Sequence, residues 1–123
     1  MGSYTLRKRF TFEAAHFLPH HEGKCKRLHG HSWLGWVEVT GESLHSEGPQ
    51  AGMVMDYARI ADIVKPMVED YLDHYCLNET LPVISPTSEA VAAWVFEHLR
   101  SSGLPVSAVT IEETCTSVCT YRD

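Results

Sequence analysis

The sequence predicts an α+β fold: an antiparallel sheet with helices on one face. Three observations lead there. Segments of alternating polarity sit at both ends of the chain. Apolar residues at helical spacing fill the middle. The order, β-β-(β)-α-α-β-β, groups strands with strands rather than alternating them with helices, as a parallel sheet would require. At 123 residues, one domain spanning 1–123 can enclose a core without covalent staples.

The first strand is read from Tyr4, Leu6, Phe10 and Phe12 on one face and Thr5, Arg7, Arg9 and Thr11 on the other, with Lys8 the exception on the apolar side. Ala14-Ala15-His16 ends it. Residues 17–28, with Pro19 and Gly23, read as a loop. A second strand is expected over His31–Thr40, carrying Trp33, Trp36, Val37 and Val39. Gly41 to Gly52 is a turn-rich connection around Gly48-Pro49, and Met53–Met55 is expected as a short strand. Ile60, Val64, Met67 and Tyr71 then recur at steps of four, three and four. They predict an amphipathic helix from about Asp56 to Tyr75, kinked or loosened at Pro66. Ser85 to Glu89 offers caps for a second helix with Val91, Val95 and Leu99 as its buried stripe, ended by Gly103. Val106–Glu113 and Ser117–Tyr121 complete the sheet. Such a sheet leaves strand edges open, and oligomerisation is one way to cover them.

Composition narrows the function. The formal net charge of −6 argues against a general nucleic-acid binder and against broad attraction to anionic membranes. No apolar run reaches membrane-spanning length, and Arg7, Lys8 and Arg9 interrupt any secretory core early. Met1-Gly2 opens like a myristoylation site, but Leu6 stands where Ser or Thr is wanted. Four cysteines without a visible secretory signal fit a reducing cytoplasm.

The histidines carry the chemistry. His29 and His31 flank Gly30 at the start of the second strand, and residues i and i+2 of a strand share a face. If the first two strands pair, His16 reaches them across the ladder. Three neutral imidazoles suit zinc and leave one coordination position open, although a bare His-x-His is also common on surfaces and in cores. Cys25, between Lys24 and Lys26-Arg27, sits among cations that favour a thiolate. It is either a fourth ligand of a closed structural site or a base beside the metal, and spacing does not choose. Asp73-His74 can form a carboxylate–imidazole pair only if the backbone bends, because adjacent helical residues point apart. A histidine answering the helix dipole is the simpler reading. Glu113 shares a face with Val109 and Ile111, so its carboxylate needs a partner, either a ligand or a basic side chain. Cys76, Cys115 and Cys119 read as small buried residues, and His20, His21, His45 and His98 as surface residues.

Taken together, Phe12-Glu13-Ala14-Ala15-His16, Cys25-Lys26-Arg27-Leu28-His29-Gly30-His31, Met55-Asp56-Tyr57, Leu72-Asp73-His74, Pro86-Thr87-Ser88-Glu89 and Glu113-Thr114-Cys115-Thr116 resemble the 6-pyruvoyl-tetrahydropterin synthase family across nearly the whole chain. In its short Cys25–His29 spacing the sequence is most similar to the bacterial branch that forms 6-carboxy-5,6,7,8-tetrahydropterin. Ser85 departs from the asparagine common before Pro-Thr-Ser-Glu.

The resemblance implies the tunnelling fold, in which each subunit gives a four-stranded antiparallel sheet with two helices on one face, three subunits close their sheets into a barrel, and two trimers stack as a homohexamer with intersubunit sites. It implies catalytic zinc on His16, His29 and His31, and Cys25 as general base. It implies His74, oriented by Asp73, as a proton relay. Glu113 would anchor the pterin and join the relay, and Thr87 and Ser88 would contact the pterin. The implied reaction converts 7,8-dihydroneopterin triphosphate to 6-carboxytetrahydropterin, acetaldehyde and triphosphate, on the route to 7-deazapurines such as queuosine. Lys24, Lys26 and Arg27 either meet the triphosphate or are solvated loop charges. The rival readings are a pyruvoyl-forming synthase, a non-catalytic module around a structural Cys-His₃ zinc site, and a zinc hydrolase.

Overall fold

Strands β1 (Tyr4–His16) and β2 (His29–Gly41) pair antiparallel along their whole lengths, from Tyr4 opposite Gly41 to His16 opposite His29. The computed structural model describes residues 2–123; Met1, and with it the Met1-Gly2 start, lies outside the described residues. Strict alternation turns Phe10, Phe12, Ala14 and His16 of β1 inward with Trp33, Gly35, Val37 and Val39 of β2. Phe12 stacks on Trp33 with centroids 5.5 Å apart. Phe10 lies opposite Gly35, where an added Cβ would come 2.2 Å from the Phe10 ring. Only glycine leaves room for that aromatic.

Strands β4 (Val106–Thr114) and β5 (Ser117–Tyr121) complete the antiparallel part, and the chain adds one strand the sequence did not predict. This is β3 (Tyr75–Cys76), which pairs parallel with Ala14 and Ala15 at the edge of β1. The sheet therefore has five strands, in the order β3-β1-β2-β4-β5, rather than four. Two residues are too few for any periodicity to register. Met53–Met55 is not a strand. Met53 instead closes a loop, accepting from the His45 amide at 2.9 Å, while Gly52 donates to the His45 carbonyl.

Helix α1 (Tyr57–Met67) is capped by Asp56, whose side chain accepts from the Ala58 amide. Pro66 sits inside it. The helix then widens into a π turn over Val68–Leu72 and stops, short of the expected Tyr75. A short α2 (Leu77–Thr80) and the longer α3 (Ser88–Ser101) follow, so there are three helices rather than two. Of the caps offered by Ser85 to Glu89, Thr87 is the one used, its side chain accepting from the Ala90 amide. Ile60, Val64 and Met67 of α1 and Val91, Val95 and Leu99 of α3 join Phe12, Trp33, Val37, Val109 and Ile111 in one core on the inward face of the sheet. Each such side chain contributes about 1.5–3 kcal/mol on burial. Cys115 is exposed in the turn between β4 and β5, while Cys76 of β3 and Cys119 of β5 are half-buried on the outer strands, Cys119 packing against the core. His98 is half-buried at the surface, stacking on Trp94 at 4.8 Å and meeting Tyr71 at 5.1 Å.

Candidate active site

The register that buries the core also assembles the site. His16 is the last residue of β1 and His29 the first of β2, directly opposite each other, with His31 opposite Ala14. All three imidazoles lie on the core face and cluster with centroids 4.5–5.1 Å apart. His16 and His31 stand edge-on to Trp33, so the cluster rests on an aromatic floor.

Glu113 arrives from β4, on the face shared with Val109 and Ile111. Its Oε1 lies 3.1 Å from His16 Nε2 and 3.0 Å from His31 Nε2. No Arg or Lys pairs with it among the described residues; the imidazoles are its ion-pair partners. The four donor atoms of His16, His29, His31 and Glu113 lie within 4.8 Å of one another. Cys25 is not in this group. It sits in the single 3₁₀ turn Lys24–Lys26, half-buried, with its carbonyl accepting from the Leu18 amide.

The surrounding hydrogen bonds decide what this group can hold. His16 Nδ1 lies 2.8 Å from the Pro86 carbonyl, and His29 Nδ1 lies 2.7 Å from the Arg27 carbonyl. A carbonyl oxygen only accepts, so both Nδ1 atoms must carry the hydrogen. In the neutral rings each Nε2 is then a bare lone pair. The Nε2 atoms of His16, His29 and His31 are buried and have no hydrogen-bond partner, the short approach of Glu113 being out of line for an N–H donor. Lone pairs converging on a carboxylate repel unless a cation lies between them, and this donor set fits a metal ion. Burial holds the His31 pKa below its ordinary value, against the pull of Glu113. Glu113 is itself held below the ordinary carboxylate value, first by its contact with His16, with burial opposing.

Asp73 and His74 do form a pair, with His74 Nδ1 2.8 Å from Asp73 Oδ2. The reading of His74 as a helix-end histidine is corrected, because the helical turns end at Leu72 and the backbone bends. Asp73 is extended, and His74 takes a left-handed conformation with φ 66°. The β1 edge holds this bend. The Glu13 amide donates to Asp73 Oδ1 at 2.8 Å, and the His74 amide donates to the Glu13 carbonyl. The first of these bonds, with His74 second, lowers the Asp73 pKa. An open groove of about 540 Å³ is lined by Glu13, Ala15, Gly30, Ser32 and His74, with His31 the one member of the imidazole cluster at its border; Glu13, Ala15 and Ser32 lie on the sheet face opposite the imidazoles.

Two supports were not foreseen from the sequence. The Pro86 carbonyl, just before the Thr87 cap, fixes His16. Asn78 of α2 grips Phe17, the residue after His16, accepting from its amide at 2.9 Å and donating to its carbonyl at 2.8 Å. No pattern marks an asparagine for this role. Thr87 and Ser88 lie at the start of α3, where the Thr87 hydroxyl accepts from the Ala90 amide and the Ser88 hydroxyl donates to Glu89.

Comparison with known proteins agrees with this architecture. The family model described as 6-pyruvoyl tetrahydropterin synthase matches residues 5–123. A Synechocystis protein named 6-carboxy-5,6,7,8-tetrahydropterin synthase is 50% identical over 119 residues, 96% of this chain and 92% of that protein. A Haemophilus influenzae protein of the same name is 31% identical, over 98% of this chain and 99% of its own. The solved structure of Caenorhabditis elegans 6-pyruvoyl tetrahydropterin synthase superposes with a TM-score of 0.84 at 33% identity, covering 100% of this chain and 97% of that one. With motifs, fold and the His-rich centre in agreement, the chain belongs to the 6-pyruvoyl tetrahydropterin synthase family.

Proposed function

We propose that the protein is a 6-carboxy-5,6,7,8-tetrahydropterin synthase, a lyase. With water, it would convert 7,8-dihydroneopterin triphosphate to 6-carboxytetrahydropterin, acetaldehyde and triphosphate. The observation that carries this reading is the convergence of His16, His29, His31 and Glu113 on one point, in a chain half identical to a synthase of that name. The metal, zinc for this nitrogen-rich donor set, supplies Lewis acidity toward the substrate's side-chain hydroxyls when bound.

The chain's own residues do the rest. Cys25 takes a side-chain proton as general base. Asp73 fixes the His74 tautomer by accepting from Nδ1, which leaves Nε2 to receive and return a proton. Glu113 accepts from the guanidine-like edge of the pterin and orients the ring. Thr87 and Ser88 contact the pterin from a neighbouring subunit. Lys24, Lys26 and Arg27, all exposed, meet the triphosphate. The free edges of β1 and β5 support closure of three sheets into a barrel, with two trimers stacking as a hexamer.

Product analysis tests the reading. Zinc-loaded protein incubated with 7,8-dihydroneopterin triphosphate should yield a carboxylated tetrahydropterin and acetaldehyde by mass spectrometry. A pyruvoyl product would move the protein to the branch of its C. elegans fold relative. Cys25→Ala separates catalysis from structure: the variant should keep its zinc and lose turnover. Loss of zinc and stability instead would make the site structural.

A further inference from the structure

Glu113 stands in two places at once. As a pterin anchor it should face the substrate, yet its carboxylate is drawn in among the imidazoles. Four ligand atoms at the corners of a tetrahedron with bonds of about 2.0–2.1 Å are roughly 3.3 Å apart. Glu113 Oε1 is near that separation from two of the three Nε2 atoms, so it occupies a ligand's position. The hydrogens on the Nδ1 atoms of His16 and His29 are committed to carbonyls, so a cation between the rings and the carboxylate is what makes the arrangement favourable.

The same carboxylate is built to leave. The His16 side chain is fully buried, whereas that of Glu113 is 26% exposed. Glu113 lies at the break in β4–β5 register between Glu112 and Thr114, beside an exposed turn. Irregularities of this kind let a strand re-aim a side chain. No hydrogen bond to another protein group ties it in place among the described residues. A competing partner must therefore come from the ligand, and an N–H edge on a heterocycle offers paired donors to a carboxylate.

We propose that Glu113 is an exchangeable fourth ligand, closing the metal centre in the resting protein and leaving it to hold the pterin ring when substrate binds. The inference rests on the synthase reading above. Under it, the open coordination position exists only with a ring already seated, and the resting metal is shielded from water-driven side reactions.

Cobalt in place of zinc gives a visible spectrum that reports coordination. The probe is 6-methyl-7,8-dihydropterin, which has the ring but no side-chain hydroxyls to bind metal. In the wild type, the ring should shift the cobalt spectrum. Glu113→Gln and Glu113→Ala should bind metal about tenfold more weakly or worse in chelator competition. Their cobalt spectra should differ from wild type before any ring is added and should not move when it is. Circular dichroism checks that both variants fold, and the near-isosteric Gln variant keeps the test valid if the Ala variant does not. Equal metal affinity and matching spectra in wild type and the Gln variant would overturn the proposal, as would a wild-type spectrum that saturating ring leaves unmoved. Turnover of 7,8-dihydroneopterin triphosphate by the wild type is scored separately. Absent turnover with a ring-induced shift removes the assigned reaction and leaves the exchange standing; turnover with matching spectra removes the exchange alone.

Discussion

Protonating His98 costs more in the folded chain than in the unfolded one, because burial against Trp94 and Tyr71 lowers its pKa below 6.5. A depressed folded value means that its share of stability is complete above pH 6.5 and is lost as pH falls through the folded value. Thermal melts should show wild type losing more stability than His98→Gln on going from pH 7 to pH 5. Asp73 behaves likewise in a lower window, since its pKa is lowered by the Glu13 amide and then by His74. Asp73→Asn should cost about 1 kcal/mol at pH 7, the modest figure reflecting a partly exposed carboxylate. That difference should shrink as pH falls from 3.8 through the folded value. Titrated chemical denaturation of both forms is the check. The three clustered histidines were legible as residues because i and i+2 share a strand face and β1 pairs with β2. The dyad was not. Its geometry depends on a non-glycine residue at φ 66°, which no residue pattern announces.

Among the elements, β1, β5, α3 and the extent of β4 could be read to within a few residues, because long alternating or amphipathic stretches carry their own period. Where α1 stops could not be read. Tyr71 continues its apolar step, but Pro66 and the π turn end the helical rise at Leu72 before His74 is reached. The face of Glu113 followed from β4 alternation, whereas its distance to His16 depends on the β2–β4 register, set by packing far from either residue. Two variants test how elements hold the site. Asn78→Ala removes both bonds to Phe17 and should lower stability by about 1–3 kcal/mol. It should also weaken metal binding about tenfold, as read by chelator competition, because His16 loses its anchored neighbour. Gly35→Ala drives a methyl into the Phe10 ring and should cost about 1–3 kcal/mol. Adding Phe10→Leu should return part of that loss, a non-additivity that a double-mutant cycle in urea would measure.

At the scale of the whole molecule, the open edges bear on assembly. β5 presents Val118, 61% exposed, on the outer strand of the sheet, and most of β1 lies free beyond its short pairing with β3. If the proposed barrel forms, light scattering should give a mass that is a multiple of three subunits. Val118→Lys should then lower that mass and, with it, turnover, since the proposed site draws residues from neighbouring subunits.

The three imidazoles belong to one hairpin near the start of the chain, while the carbonyl that fixes His16 comes from Pro86, seventy residues downstream, and Glu113 from later still. A nascent chain would thus expose an open trio of ligands long before the rest of the site is synthesised. The hairpin is also the part that can form early, because its strands are neighbours in the sequence and its contacts are local. Metal captured at that stage would be enclosed as the later strands dock, and the order of synthesis would then also be an order of loading.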